Sequence, residues 1–358
     1  MVRSTPTKRF RIPLALSAVC ALLLAGCTMF TPPKPKPTPT VLEMAHVDGF
    51  TTGDPSATWF ADEVARVSHG LLVINRRLSC CGEDQSQMER GLILTVADGT
   101  SALGWVGTRV FQTIGDDDFT ALTLPMHVDS YATQQAIASS ALPAQMMKGL
   151  SKFAVKGLAV MPGFLRKPLA ASSPLVAVDD WRGKAIFLFP GGSAAHSLAA
   201  LDAIPIEGGE AGERDDGLTQ HRLDGTELSL SYAADDTSRI GYVTANVNLW
   251  PRMSALLINP AVYRFLTKQQ RGWLTKAIHT TIARTSELAK ADLRYVRLLC
   301  QHGVELDWAT PDQLSELRTA FAPVVDAAEA SATTAGFVRQ IDGLRRPDPR
   351  SLTVQPCL

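Results

Sequence analysis

The run Gly191-Gly192-Ser193-Ala194-Ala195 follows an apolar stretch and opens a helical pattern, a placement that resembles the nucleophile elbow of serine hydrolases. Such a serine attacks a carbonyl carbon when a histidine takes its proton. His196 lies on the same predicted helix, where it cannot easily act as that base, and the final glycine of the motif is missing. Ser193 is better explained as a helix N-cap whose neighbouring N–H groups face a polar ligand. A serine hydrolase is therefore a remote alternative, and we predict that the chain is not an enzyme.

Carboxylates and histidines do not predict a metal site. Consecutive aspartates occur at 116–118 and 215–216, but the ligand spacing of an EF-hand loop is absent, so solvated turns are expected. The histidines are scattered without ligand spacing, at His46, His69, His127, His196, His221, His279 and His302. We therefore predict no metal and no cofactor.

The N-terminus has the pattern of a bacterial export signal. Basic residues precede an apolar segment at 12–24, and the run Leu24-Ala25-Gly26-Cys27 resembles a lipobox, in which the cysteine is lipidated and becomes the new N-terminus. The apolar segment is short for a bilayer span, so a retained transmembrane helix is the weaker alternative. The sequence thus predicts a signal peptide at 1–26, lipidation of Cys27 and a Pro/Lys-rich tether at 27–40. The chain is expected to be extracytoplasmic, with lipid as its anchor in the bacterial cell membrane.

The cysteines that remain after the signal peptide and the lipidation site are Cys80, Cys81, Cys300 and Cys357. An even number in an oxidising compartment favours disulfides. Adjacent cysteines rarely bond to each other, because the small ring strains the peptide between them. Cys80 and Cys81 could instead each pair with one of the two distal cysteines and staple the C-terminal region to the N-terminal lobe, but the sequence leaves the pairing open.

Length and composition limit the class of protein. The chain has 358 residues, more than the usual single domain, so two lobes are expected. It is 46% hydrophobic and has a formal net charge of zero. That charge argues against a nucleic-acid partner, because such a role needs a basic face.

Hydrophobic periodicity predicts alternating strands and helices. Strand, helix, strand, helix and strand are expected, in the order of a parallel α/β sheet, over 41–47, 58–68, 71–75, 85–97 and 102–106. Strands follow at 157–161 and 184–189, with a helix at 193–201. A helical pattern without proline from Thr267 to about His302 predicts one long helix that spans both lobes. Two helices separated by a small break are the alternative.

Short motifs occur in order along 41–328: Leu42-Glu43-Met44-Ala45-His46-Val47, Gly82-Glu83, Asp98-Gly99-Thr100, Leu122-Thr123-Leu124-Pro125-Met126, Asp180-Trp181-Arg182-Gly183-Lys184-Ala185-Ile186, Asp224-Gly225-Thr226-Glu227, and Leu257-Ile258-Asn259 before Leu266-Thr267. In this order and spacing they resemble the extracytoplasmic solute-binding proteins of tripartite ATP-independent (TRAP) transporters, best known for carboxylate ligands. The resemblance implies an α/β, two-lobed, periplasmic binding protein-like (type II) fold. Hinge strands and a long lobe-spanning helix would join the lobes, with a ligand enclosed between them.

For this chain, the resemblance implies lobe I at 41–162 plus 250–290, lobe II at 163–249 plus 291–345, and a C-terminal tail at 346–358. A small molecule that binds both lobes stabilises the closed state by its greater affinity for that state. The implied function is capture of a solute by a monomer and delivery to TRAP membrane subunits. A ligand-sensing or orphan binding lipoprotein without a transport role is the alternative.

Candidate ligand contacts follow from the same resemblance. The family usually places an arginine directly after the isoleucine of its Asp-x-x-Gly-x-x-Ile motif, where it binds the ligand carboxylate, and this chain has Phe187 there. Arg166 lies near the family's second pocket arginine, and Arg109 follows a predicted strand and could also point inward. The expected ligand is an organic acid or, given Phe187, a less charged polar or aromatic solute. The remaining predicted contacts are Ser193, Trp105, Glu227, Tyr232 and Trp250.

Overall fold

Two mixed β-sheets organise the chain in the computed structural model, which describes residues 38–47, 54–81, 85–235, 237–346 and 357. The predicted signal peptide, the lipidation site Cys27, most of the tether and most of the C-terminal tail lie outside these residues. Among the helices that are described, none combines the length and the apolar character that a bilayer span requires.

The elements alternate along the chain. The strands of the described segments are β1 (Thr40–His46), β2 (Leu72–Arg77), β3 (Leu103–Gly107), β4 (Lys156–Met161), β5 (Leu165–Ala170), β6 (Ala185–Leu188), β7 (Ile204–Glu207), β8 (Gly225–Leu228), β9 (Tyr242–Thr244), β10 (Trp250–Pro251), β11 (Ser254–Ile258) and β12 (Glu305–Asp307). The α-helices are α1 (Pro55–Val67), α2 (Gln85–Ala97), α3 (Val110–Thr113), α4 (Tyr131–Ser139), α5 (Leu142–Met146), α6 (Ala194–Ala199), α7 (Ala211–Thr219), α8 (Leu230–Asp235), α9 (Pro260–Phe265), α10 (Lys268–Ala283), α11 (Thr285–Gln301), α12 (Pro311–Glu329) and α13 (Ala332–Leu344). Short 3₁₀ helices occur at Thr120–Leu122, Met147–Phe153, Val178–Trp181 and Thr237–Arg239.

The first sheet and its helices form lobe I. The strand order is β2-β1-β3-β11-β4, in which β1 is parallel to β2 and β3, and β11 is antiparallel to β3 and β4. Helices α1 and α2 connect the three parallel strands, so the predicted alternation of this segment is confirmed. Fully buried side chains such as Met44, Phe60, Leu92 and Leu256 fill the space between sheet and helices. Their burial stabilises the lobe by about 25 cal/mol for each Å² of apolar surface removed from water.

The second sheet forms lobe II, with the order β12-β9-β5-β8-β6-β7 and the short β10 beside β5. Strand β6 is parallel to β7 and β8, whereas β5 is antiparallel to β8 and β9. Successive residues of β6 face opposite sides of the sheet. Ile186 and Leu188 pack with Trp181 on one side, and Phe187 packs with Leu228 on the other. Both faces of this sheet are therefore covered.

Two crossings of the chain meet between the lobes, one joining β4 to β5 and the other joining β10 to β11. The backbone N–H of Arg252 in the second crossing donates to the carbonyl oxygen of Phe164 in the first, at 2.8 Å. A Cβ on Gly163 would collide with the carbonyl oxygen of Arg252. The absence of a side chain at Gly163 thus allows the two crossings to lie against each other.

The predicted long helix is interrupted. Helix α10 ends at Ala283 and α11 begins at Thr285, so the chain has the two helices that were the alternative. The backbone tightens at the break, because the N–H of Arg284 donates to the carbonyl oxygen of Thr281 and the hydroxyl of Thr285 donates to that of Ile282. Helix α10 packs on α1 of lobe I and α11 packs on α8 of lobe II. The pair therefore spans both lobes, with a break at Arg284 between the two helices.

The C-terminal helices depart from the predicted domain organisation. The sequence assigns 291–345 to lobe II, yet α13 places Phe337, Val338 and Ile341 in the hydrophobic core of lobe I. Helix α12 contacts α6 of lobe II. The hairpin of α12 and α13 thus bridges the lobes, and the other predicted boundaries stay a prediction.

The structure gives the disulfide pairing that the sequence leaves open. Cys80 is bonded to Cys81, and Cys300 is bonded to Cys357. The first pair lies in a tight turn with positive φ at Ser79 (49°) and Cys81 (88°). Cys80 is buried in the core of lobe I, whereas Cys300 lies near the end of α11 beside lobe II. The staple between the lobes that the sequence left possible does not form in this structure, because the two pairs of cysteines lie in different lobes.

Candidate ligand-binding cavity

A cavity of about 440 Å³ lies where the two lobes face each other. Lobe I contributes Glu89 and Arg109, lobe II contributes Ser193 and Arg214, and Arg252 comes from the crossing after β10. A volume of this size, with walls of mixed polar and apolar character, is typical of sites for small molecules.

Arg166 and Glu227 form a buried ion pair on the lobe II side of this interlobe cavity. Arg166 Nη1 donates to both carboxylate oxygens of Glu227, at 2.7 and 2.9 Å, and Trp250 Nε1 donates to the same carboxylate at 3.1 Å. The pairing of β5 with β8 and with β10 brings the three side chains together. Within the described part of the chain, the hydrogen bonds of Arg166 all come from Nη1, and Nη2 and Nε make none.

A second ion pair lies on the lobe I side. Arg109 follows β3 and its Nη2 donates to Glu89 Oε2 of α2 at 2.6 Å, while its Nη1 donates to the carbonyl oxygen of Pro190 in lobe II. Burial lowers the pKa of Arg109, and the Glu89 carboxylate acts in the opposite direction because it favours the charged guanidinium. Arg109 therefore both lines the cavity and connects the lobes.

The loop at 190–193 of lobe II rests directly on lobe I. Ser193 occupies the N-cap position of α6, as predicted, but its hydroxyl donates to the carbonyl oxygen of Thr123 in lobe I instead of capping its own helix. Gly191 and Gly192 have φ values of 108° and 69°, which favour glycine. A Cβ on Gly191 would lie 2.8 Å from the carbonyl oxygen of Arg109. These contacts join the two lobes directly at one side of the cavity.

The structure brings six of the predicted ligand contacts to this cavity: Arg166, Arg109, Ser193, Glu227, Tyr232 and Trp250. They come from different strands and helices of both lobes, which the order of motifs alone does not reveal. Their contact with a ligand stays a prediction.

Phe187 and Trp105 do not line the cavity. The Phe187 ring is 2% exposed, lies against Gly208 and packs edge-to-face on Phe189 with a centroid distance of 5.4 Å. Trp105 is equally buried, in the core of lobe I, where its Nε1 donates to Asp54 Oδ2 at 2.7 Å. Both predictions are corrected for one physical reason: neighbouring residues cover the two rings inside the cores of their lobes, whereas the cavity is lined by strand ends and by the loops that follow them.

Sequence reasoning missed several residues of the cavity. Phe189 lies just beyond β6 and forms an aromatic wall, with the Arg109 guanidinium carbon 5.9 Å from its ring centroid. Arg252 lies beside the ring of Tyr232, also at 5.9 Å, and Arg214 is paired with Asp215 at 2.7 Å. The position of Arg252 directly after Trp250-Pro251 was a usable signal, whereas Glu89 on α2 had none.

The charges of the cavity are mostly paired. Arg109 is paired with Glu89 and Arg166 with Glu227 within the wall, and Arg214 is paired with Asp215 just outside it. Such a site suits a ligand with one anionic group and several hydrogen-bonding groups better than a bare dianion, because the two buried carboxylates repel a second negative charge. No cluster of side chains able to hold a metal ion occurs in the described segments.

Two α/β lobes, paired crossings and an interlobe cavity define a two-lobed binding protein. The family profile of the bacterial extracellular solute-binding proteins, family 7 (DctP), matches residues 54–331, and the chain belongs to this family. The predicted family is thereby confirmed, and it is a family of binding proteins and not of enzymes. A comparison with curated proteins gives no match.

Solved structures of TRAP periplasmic solute-binding proteins share the fold. The protein from Ochrobactrum anthropi, with its C-terminus bound in the ligand-binding pocket, is 16% identical over 89% of this chain and 100% of that one, with a TM-score of 0.75. The sugar acid binding protein DctPAm from Advenella mimigardefordensis, in complex with galactonate, is 17% identical over 87% and 100%, with a TM-score of 0.74. A protein from Shewanella oneidensis with bound succinate is 15% identical over 86% and 100%, with a TM-score of 0.73.

Proposed function

We propose that this chain is a lipid-anchored, extracytoplasmic solute-binding protein that captures a small organic acid between its lobes and delivers it, as a monomer, to TRAP membrane subunits. The observation that carries the proposal is the buried Arg166 guanidinium at the wall of the closed interlobe cavity. Membership of the solute-binding family and the likeness to TRAP periplasmic proteins support the transport role.

The paired charges favour a particular kind of acid. Nη2 and Nε of Arg166 offer a place for one carboxylate, whereas Glu89 and Glu227 disfavour a second negative charge. Hydrogen-bonding groups and the aromatic walls of Phe189, Tyr232 and Trp250 suit a hydroxylated carbon chain. A monocarboxylate with several hydroxyl groups, such as the galactonate held by the Advenella relative, fits better than the succinate held by the Shewanella one.

Closure would couple binding to delivery. A ligand that reaches Arg166 on lobe II and Arg109 on lobe I gains contacts only when the lobes meet, so it shifts the population toward the closed state. The direct contacts of the loop at 190–193 with Thr123 and Arg109 hold the lobes in that state. The membrane partner would then distinguish the closed shape from the open one.

Isothermal titration calorimetry with galactonate, succinate, galactose and benzoate tests the ligand class. We expect galactonate to bind tightest, and Arg166→Lys to weaken it by about tenfold because an ammonium lacks the planar fork. Arg182→Lys is the matched control, since Arg182 is exposed and remote from the cavity lining. Tightest binding of galactose or benzoate, or an equal effect of both substitutions, would contradict an acid held by Arg166.

The anchor needs a separate experiment, because a ligand titration does not test it. The run Leu24-Ala25-Gly26-Cys27 supports processing before Cys27 and lipidation of its thiol. Mass spectrometry of the protein from membranes should show an acylated Cys27 as the first residue. Cys27→Ser should release the chain from the membrane fraction with unchanged ligand affinity, and retention of the variant on the membrane would contradict the anchor.

A further inference from the structure

A surface of lobe I lies at the end of its sheet that is opposite to the interlobe cavity. Strand β11 begins at Ser254, beside the cavity residue Met253, and ends at Ile258, where α9 follows. Since each strand residue advances about 3.3 Å, α9 starts on the order of 13 Å from the cavity end of the sheet. We call this surface the base of lobe I, and it consists of Lys156, Tyr263, Arg264, Phe265, Lys268 and Arg271.

An aromatic ring projects into solvent from the base. Phe265 ends α9 and is 88% exposed, although phenylalanine is usually buried. The Arg271 guanidinium donates to the carbonyl oxygens of Tyr263 and Arg264, at 3.0 and 2.8 Å, and so fixes the end of α9 that carries the ring. A single exposed apolar side chain is common on protein surfaces, so its neighbours decide what this one means.

Those neighbours are cations. The segment at 259–286 contains no aspartate or glutamate in a chain whose formal charges balance to zero, and its five basic residues are Arg264, Lys268, Arg271, Lys276 and Arg284. Arg264 and Lys268 are exposed on either side of Phe265 in the sequence. The base therefore combines an apolar ring with a local excess of positive charge.

Two further cations flank the ring of Tyr263 in the same surface. Lys156 Nζ lies 5.0 Å and Arg271 Cζ lies 4.8 Å from the centroid of this ring. The turn before β3 adds one carboxylate at this end of the sheet, that of Asp98, which accepts a hydrogen bond from the backbone N–H of Thr100. One carboxylate leaves the base with a net positive charge.

The predicted tether joins the fold at the base. Thr40 opens β1, and its hydroxyl accepts a hydrogen bond from Gln270 Nε2 of α10 at 3.0 Å. Thr40 lies thirteen residues after Cys27, in a Pro/Lys-rich segment. At about 3.1 Å per residue such a segment reaches about 40 Å, so an acylated Cys27 would keep the base close to the bilayer.

We propose that the base of lobe I binds the surface of a bilayer that contains anionic lipid. The Phe265 ring enters the head-group region, and the cations lie against anionic head groups. The cavity end of lobe I is then directed away from the bilayer, toward incoming solute. The place of this contact in the cell rests on the proposed lipid anchor, whereas the affinity of the base for lipid can be measured without it.

Vesicle flotation of the full chain carrying Cys27→Ser measures that affinity without the acyl group. The probes are vesicles of phosphatidylcholine alone and of phosphatidylcholine with an equal amount of phosphatidylglycerol. We expect stronger partition to the anionic vesicles. Arg264→Gln combined with Lys268→Gln should lower that partition by at least about fivefold, because each cation near an anionic surface contributes this much. Phe265→Ser should lower it by about as much and, since the ring is exposed, should leave the melting temperature unchanged.

Helix α11 of lobe II supplies matched controls. Arg297 and Leu298 are likewise an exposed basic residue followed by an exposed apolar one. Arg297→Gln and Leu298→Ser, made in the same Cys27→Ser background, should leave the partition within about twofold. All variants share the N-terminal segment, so its own affinity for lipid cancels in the comparison. Equal partition to both kinds of vesicle, or equal losses in the base and control variants, would overturn the lipid contact.

A photo-crosslinker tests the contact in the acylated protein. We expect p-benzoylphenylalanine in place of Phe265 to cross-link lipid several fold more than the same residue in place of Leu298, in vesicles that carry the anchored chain. Equal cross-linking at the two positions would overturn the proposed orientation.

The outcomes for the base are distinct from those for the proposed function. Phe265→Ser should bind galactonate as the parent does, because the ring lies outside the cavity lining. A chain without acyl on Cys27 that still partitions as expected would overturn the anchor and support the affinity of the base. Unchanged partition of the base variants would overturn the base, whatever the galactonate titration and the analysis of Cys27 show.

Discussion

Arg166 and Lys167 are neighbours on β5, and both are buried, yet their environments differ. Arg166 contacts the Glu227 carboxylate directly, at 2.7 Å, in the wall of the interlobe cavity. Lys167 faces the other side of the strand, where its ammonium donates to the carbonyl oxygen of Ala245 at 2.7 Å and to the Asn248 side chain. The nearby Asp292 carboxylate is not one of its hydrogen-bond acceptors. One face of β5 thus lines the cavity, and its opposite face packs against the segment at 245–248.

Lys167 and Asp292 are buried charges that do not contact each other, and the pKa of each is shifted. Burial lowers the pKa of Lys167 to about 8 and raises the pKa of Asp292 to about 6, and each charge partly offsets the shift of the other. Asp292 on α11 also accepts a hydrogen bond from the Tyr131 hydroxyl of α4, at 2.7 Å. The Arg166–Glu227 pair thus lies in the cavity wall, whereas Asp292 joins α11 to α4 and Lys167 joins β5 to the segment at 245–248.

Replacing Arg166 with methionine should have the largest effect. The change removes the guanidinium and leaves Glu227 buried beside Trp250, so galactonate affinity should fall by at least about 100-fold and stability by about 3 kcal/mol. Calorimetric titration and urea unfolding measure the two quantities. Arg182→Met is the control, and a loss of stability without a loss of affinity would remove Arg166 from the recognition site.

Lys167→Met, the same change one residue later, should act on stability alone. The Ala245 carbonyl and the Asn248 side chain lose their donor, which costs roughly 2–3 kcal/mol in urea unfolding. The affinity of the folded protein for its solute should stay within about twofold of the parent. An affinity loss comparable to that of Arg166→Met would end the distinction between the two faces of β5.

The pH dependence of stability should report Asp292. Its pKa in the folded protein, about 6, lies above the ordinary 3.8, so the folded state holds this proton more strongly than the unfolded state does. Stability from this group is greatest below pH ~4 and is lost as pH rises toward ~6, by on the order of 2–3 kcal/mol.

In Asp292→Asn, the loss of folding stability with rising pH should be much smaller, because the amide oxygen still accepts the Tyr131 hydrogen bond but does not titrate. Lys167 has the opposite sign: its lowered pKa makes stability increase as pH rises from ~8 to ~10. Urea unfolding across this pH range measures both dependences. If Asp292→Asn loses stability with rising pH as much as the parent protein does, other groups produce that dependence.

Glu227→Gln should show whether the negative charge of Glu227, the partner of Arg166, affects the choice of ligand. The glutamine oxygen still accepts from Arg166, but the negative charge is gone, so a dianion is no longer repelled. Succinate should bind about tenfold tighter relative to galactonate than it does to the parent protein. A ratio of affinities that does not move would mean that Glu227 has no part in the choice of ligand charge.

The smallest effects are expected from substitutions of Phe189 and Phe187, and these effects should differ in kind. Phe189→Leu removes part of the cavity wall and should weaken binding by a few fold with little change in stability, whereas Phe187→Leu should lower stability by about 1 kcal/mol at unchanged affinity. Paired melting and titration experiments on the two variants measure this. The reverse pattern would restore Phe187 to the ligand site.

Much of the fold was accessible from the sequence. Period-two and helical patterns placed β1, α1, β2, α2 and β3 within a few residues of their bounds, since each element buries one continuous apolar face. A break in the long helix was an alternative from the sequence, but its position at Arg284 was not accessible, because it depends on a Thr285 hydroxyl that bonds backward and on the packing of α10 and α11 against other helices.

The cavity was predicted in part for similar reasons. Arg166, Glu227 and Trp250 follow from motif order, but whether an aromatic of β6 faces core or cavity depends on where neighbouring elements cover the strand. Residues two apart share a face of a strand, so sequence spacing places Phe187 and Phe189 alike. In the structure, Gly208 covers Phe187, whereas Phe189 is not covered and lines the cavity. The disulfide pairing likewise could not be predicted from the sequence, because it depends on how far apart Cys80 and Cys300 lie in the folded chain.

Trp250 offers a direct optical signal. Its indole donates to the Glu227 carboxylate that also contacts Arg166, so a solute that reaches this cluster alters the electric field around the ring. Trp105 and Trp181 are buried in the cores of the two lobes, where their surroundings stay constant. The unlabelled protein should therefore show a change in intrinsic fluorescence on ligand capture, and a stopped-flow trace of that emission would time the closing of the cleft.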